Sequence, residues 1–328
     1  MDRRKFLKLS GATGYLSLTA VVWYKILDNI HFGYGKNVTN QDVSSKVEEN
    51  LTPASVHKGR MDGYDVKTDH DLISFSKKDN QIDTVNVGDR TVNEQSERID
   101  ATVGSQLDLL PVHLDRIRSG EFEVKPMSMD SFFRYTEKNN SNHYATGVLR
   151  NKSHVDKKPQ ITEFSGAQPS DPENFLYSLS DSFQENATYD VHRYVAGSIT
   201  YHVLMNKYDV RDLLEHDVDY EALNDNEQTA MFCYEFTNRS IEGLHSASPR
   251  KQDPPVFAGS VSDRRHKHVY TVVASLVTDG RDVEIPLTFV DYTYKTLYDG
   301  VGMDDLLGKD INGYDDHHRI TDIYWRRV

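Results

Sequence analysis

The chain has 328 residues, of which 37% are hydrophobic and 27% charged, enough for one large domain or two small ones with a packed core. Fifty-one acidic residues against 38 basic ones give a formal net charge of −13, which argues against nucleic acid or an anionic membrane surface as partner of the soluble part, since nothing would neutralise the phosphates. One cysteine, Cys233, excludes an internal disulfide.

The first thirty residues, "MDRRKFLKLSGATGYLSLTAVVWYKILDNI", run from a basic stretch into a moderately apolar one, the order of an export signal. Arg3-Arg4 followed by Phe6-Leu7-Lys8 resembles the twin-arginine translocation signal. The resemblance implies an exported protein. No small-residue cleavage site follows, so residues 1–30 are read as a signal or a retained membrane anchor, near the ~20 residues that a spanning helix needs. Residues 31–65 are polar, without helical or strand period, and read as a linker. Residues 66–180 form the N-terminal part of the body. Here "DLISFS" (Asp71–Ser76) and "IDTVNV" (Ile82–Val87) look like strands, and "QLDLLPVHLDRIR" like a turn and short helix around Pro111. "DSFFRYT" and "HYATGVL" fit strand or helix, and 150–173 reads as loop.

The second half is richer in apolar and aromatic residues. "NFLYSLSDSFQ" (Asn174–Gln184) predicts a helix. In "QTAMFCYEFTNRSIEGL", Ala230, Phe232, Cys233, Phe236, Ser240 and Ile241 recur at three- and four-residue steps, which predicts a helix over Thr229–Leu244. "HVYTVVASLVT" (His268–Thr278) and "VEIPLTFVDYTY" (Val283–Tyr294) predict two strands joined by "DGRD" as a β-hairpin, with Pro286 at an edge or bulge. A last short strand is expected near Ile320–Trp325.

Cys233 thus lies on a helix ahead of a hairpin whose first strand opens with His268 and whose second ends at Asp291. A thiol becomes a strong nucleophile as thiolate, which a neighbouring imidazolium or a helix N-terminus stabilises. The histidine in turn needs a third group to fix its tautomer, and a carboxylate on the adjacent strand can supply it. Alone, each residue has an ordinary reading: a small buried core thiol, a strand-end histidine, an edge aspartate. His266 is the rival base. "HKH" (His266–His268) with "DDHH" (Asp315–His318) also has metal-ligand chemistry, but no spacing fixes such a site, so no metal and no other cofactor is expected.

The order Cys233, then "HVY" (His268–Tyr270), then "VDYT" (Val290–Thr293) resembles the transglutaminase-like superfamily, relatives of the papain-type cysteine peptidases. The resemblance covers about residues 184–300, within a domain placed at 184–328. It implies an α+β fold, with a central nucleophile helix packed on an antiparallel β-sheet. It also implies thioester chemistry on a protein or peptide substrate, with Cys233, His268 and Asp291 as the catalytic set and Gln228 as the oxyanion-stabilising candidate. The chain departs from the family pattern at Met231, Tyr270 and Tyr292, where Gly, Trp and Pro are usual. The alternative is a non-catalytic surface protein that uses the same fold for binding or architecture. In either case the membrane is a partner only through an uncleaved N-terminal segment.

Overall fold

The computed structural model describes residues 40–53, 56–61, 63–88, 101–139, 141–150, 158–193, 196, 207, 210–225, 228–263, 268–293, 296 and 320–325. The N-terminal signal-like segment lies outside them, as do His266 and Asp315–His318. Among the described residues no helix is long and apolar enough to cross a membrane.

The fold is α+β. At its centre is a six-stranded sheet built from the second half of the chain and one earlier strand. Its strands are β5 (Glu123–Pro126), β8 (Phe257–Asp263), β9 (His268–Ala274), β10 (Val277–Asp279), β11 (Asp282–Val290) and β12 (Asp322–Trp325). The order is β10-β11-β9-β8-β12 with antiparallel pairings, and β5 adds to β11 in parallel. The predicted hairpin is β10–β11, with Asp279 opposite Asp282 and Gly280 at a φ of 56° in the turn. Pro286 lies inside the sheet, not at its edge. Its carbonyl accepts from Ser275 N–H, where the chain breaks between β9 and β10, so the missing proline N–H falls where that ladder is interrupted.

Side-chain alternation along these strands feeds two cores. Tyr270, Val272 and Ala274 of β9, with Leu287 and Phe289 of β11, pack into one. Val273 and Val290, one residue out of phase, pack into the other. The first core is covered by the N-terminal part of the body. That part contains an antiparallel meander, β1 (Val56–Met61), β2 (Tyr64–Asp69), β3 (Leu72–Lys77) and β4 (Asn80–Asn86), which bears out both expected strands there. Helices α1 (Asn40–Asn50), α2 (Ala101–Leu107), α3 (Leu110–Ser119) and α5 (His143–Arg150) complete the cover.

The second core is helical. It is built by α4 (Met129–Lys138), α6 (Lys158–Ser165), α7 (Pro172–Asn186), α8 (Tyr220–Asp225) and α9 (Cys233–Ser246). A small parallel pair, β6 (Ala187–Tyr189) and β7 (Thr229–Met231), joins α7 to the start of α9.

Three expectations need correction. The linker read over 31–65 contains α1 and β1. Val43, Val47 and Leu51 recur every four residues, form one buried stripe in an otherwise polar segment, and enter the first core. The loop read over 150–173 contains α6, whose Ile161 and Phe164 are buried. The helix expected from Thr229 begins at Cys233, because Thr229–Met231 pairs with β6 as strand.

Candidate active site

That later helix start places Cys233 at the first residue of α9. Phe232 precedes it in extended conformation, and Glu235, three residues on, reaches back to accept the Phe232 N–H at 2.6 Å. The N–H groups of the first turn have no partner within the helix, and the macrodipole leaves about half a positive charge there. Cys233 Sγ therefore sits where negative charge is favoured.

His268 opens β9 and Asp291 directly follows β11. Val290 pairs with Thr271. One further step in that register sets Asp291 opposite Tyr270 and makes His268 its diagonal neighbour on the same face. His268 Nε2 donates to Asp291 Oδ2 at 2.6 Å, and the Cys233 thiol lies near enough to the imidazole to help raise its pKa. Since Nε2 is taken by Asp291, Nδ1 is the ring nitrogen left to exchange a proton with sulfur. Asp291 is 1% exposed, and its Oδ1 accepts the Thr293 N–H at 3.1 Å. Burial of the His268 ring works against its charged form. The Asp291 charge and hydrogen bond, with the thiol contact, outweigh it and hold the imidazole well above the ordinary histidine range. The arrangement favours a charged imidazole beside the thiol.

The departures from the family pattern have local reasons. Tyr270, two residues after His268, stacks on the imidazole with centroids 5.8 Å apart and planes at 26°. Tyr292, next to Asp291, hydrogen-bonds Ser240 of α9 at 2.7 Å through its hydroxyl, and so ties the end of β11 to the cysteine-bearing helix. Met231 is buried in the helical core. A second tie runs from Thr237 Oγ1 to the carbonyl of Val269 at 3.4 Å, beside His268.

A buried charge network sets the start of α9 against the β6–β7 pair. Arg193 Nε donates to Asp190 Oδ2 at 2.5 Å, and its Nη1 and Nη2 donate to the two Glu235 oxygens at 2.9 and 2.7 Å. The same guanidinium donates to the Ala230 carbonyl at 3.1 Å and lies 4.6 Å over the Phe232 ring. All three charged side chains are buried. This triplet, with Thr237, Ser240 and Tyr292, was not found by sequence reasoning. The one sequence signal was Glu235, three residues after the N-cap.

Gln228 is exposed and immediately precedes β7, five residues before Cys233. The Cys233 backbone N–H at the helix start is the type of donor that can stabilise an oxyanion. Tyr234, which follows Cys233 in sequence, is 46% exposed. Among the described residues no group of three or more His, Cys, Asp or Glu side chains has the arrangement to hold a metal ion. Comparison of the chain with models of known families, with curated proteins and with solved structures gives no match.

Proposed function

We propose that the protein is a thiol enzyme of the papain and transglutaminase-like kind, acting on peptide or side-chain amides through a thioester. The observation that carries this reading is the His268–Asp291 hydrogen bond next to a thiol at the first residue of a helix. Cys233 thiolate attacks the amide carbonyl carbon, and the developing oxyanion is stabilised by the Cys233 N–H. His268 Nδ1 gives its proton to the leaving amine, the C–N bond breaks, and a thioester remains. His268 then takes a proton from the attacking water, the acid is released, and thiolate and imidazolium are restored. An amine in place of water makes the enzyme a cross-linker; hydrolysis is the favoured outcome. The twin-arginine-like start of the sequence supports export, with attachment to the membrane through that segment where it is uncleaved.

The test is intact-mass analysis of the protein, quenched in acid so that a thioester survives, after incubation with a mixture of short amide and glutamine-containing peptides. Acylation at Cys233 that is lost in Cys233→Ser, with peptide turnover in water, supports the hydrolase. Incorporation of an added fluorescent primary amine marks transamidation. No acylation, together with a thiol that labels only after unfolding, favours the alternative of a non-catalytic surface protein on the same fold.

A further inference from the structure

One cavity among the described residues lies away from the thiol. It has a volume of about 690 Å³, within the ~300–1,000 Å³ usual for small-ligand sites. It sits between β1, α5, Lys158 at the start of α6, and the turn that follows α9. Ser246 and Ala247 at the far end of α9 form part of its wall. Cys233 is at the other end of that 14-residue helix, about 20 Å away.

Its lining is cationic in a protein of net charge −13. Lys58 and Arg60 come from β1, Lys158 from α6, and Arg250 and Lys251 from the turn Pro249–Lys251. His57 and His143 add two imidazoles, and among the described residues no aspartate or glutamate lines the cavity. Of the five cations, only Arg60 has an acidic partner among the described residues, Asp65 at 3.6 Å on the exposed side.

The wall behind the cavity is positive as well. Arg150, 1% exposed, donates to the carbonyls of Ala247, Leu244 and Val256 and to the Gln252 side chain, with no carboxylate among these partners. It lies one helical turn beyond Gly147, which lines the cavity. A Cβ on Gly147 would stand 3.2 Å from His57 Nε2, so the glycine keeps that floor open. An overall acidic chain has thus gathered cations from three separate segments around one concave space and, among the described residues, given only Arg60 a carboxylate partner, which is the electrostatics of an anion receptor.

We propose that this cavity is a binding site for a small polyanion, a molecule carrying two or more phosphate or carboxylate groups. A cavity of this size favours a compact ligand over a polymer strand, and cations from three segments suit several acidic groups on one molecule. The site is independent of the thiol reading.

The experiment is isothermal titration of the full chain with tripolyphosphate and, separately, with citrate, at low salt. The same titrations are run on the double variant Arg250→Glu/Lys251→Glu and on Cys233→Ser. Arg250 and Lys251 are exposed, and an unchanged thermal melt of the ligand-free variant establishes that it folds. Saturable binding of either probe by the parent chain is expected, weakened roughly tenfold or more per reversed cation, weakened also by added salt, and unchanged in Cys233→Ser. The two probes distinguish a phosphate-bearing ligand from a polycarboxylate. Absence of saturable binding for both, or equal binding by parent and double variant, would overturn the proposal. Neither result bears on Cys233.

Discussion

Replacing Asp291 by Asn is the sharpest test of how the thiol site works. The amide keeps the size of the side chain and an oxygen that can still accept from His268 Nε2, so the ring stays oriented. What is removed is the negative charge 2.6 Å from the imidazole, at a position 1% exposed where water screens little. Hydrogen bonds to charged partners contribute about 1.5–3 kcal/mol against roughly 0.5–1.5 for neutral ones. The imidazolium should therefore lose roughly 1–1.5 kcal/mol, a factor of about ten in the population of the thiolate–imidazolium pair. The assay is the rate of Cys233 alkylation by iodoacetamide from pH 5 to 9. Wild-type protein should label rapidly below pH 7, and the Asn variant should be slower at pH 6 by roughly that factor, converging toward wild type at high pH. His268→Ala should abolish the fast low-pH labelling altogether. Overlapping wild-type and Asp291→Asn profiles between pH 5 and 7 would refute the charge coupling. Labelling of wild type only after unfolding would refute the activated thiol itself.

The remaining predictions concern what holds the site. Arg193→Met leaves Asp190 and Glu235 as buried carboxylates without their cation, and should cost about 3–5 kcal/mol in urea unfolding; Lys at this position should not rescue, because it lacks the fork that meets both Glu235 oxygens. Gly243→Ala raises helix propensity, yet its Cβ would stand 2.4 Å from Phe175 Cζ, so the clash should win and lower stability by about 1–3 kcal/mol in a thermal melt. His57 is pulled down to about 4 by burial and then by the nearby Arg150 charge, and His245, fully buried, is pulled well below 6.5 by the same two causes in the same order. Because both folded-state values lie below the unfolded one, the unfolded chain binds protons first, and stability should fall as pH drops from about 6.5 toward 4. Melting temperatures across that window should show the slope, and it should flatten in His57→Gln; a flat wild-type profile would contradict it.

The sequence by itself determined the local elements with strong period or turn chemistry. The alternating Val, Tyr and Thr of β9 and β11, with the Asp-Gly turn beside them, fix a hairpin whatever surrounds it. Strand ends placed His268 and Asp291 within reach of each other, since antiparallel register follows from the hairpin. The same reading ran past α1 because only Val43, Val47 and Leu51 are apolar there, and a narrow stripe acquires meaning only when another element covers it. It started α9 four residues early because Thr229–Met231 carries helical spacing but pairs with Ala187–Tyr189, a partner some forty positions away that no local pattern reveals. The Arg193 network, the Tyr292–Ser240 tie and the cationic cavity were likewise decided by tertiary structure. Each joins residues from separate segments, and a side chain's charge or hydroxyl in the sequence does not say which distant group it will meet.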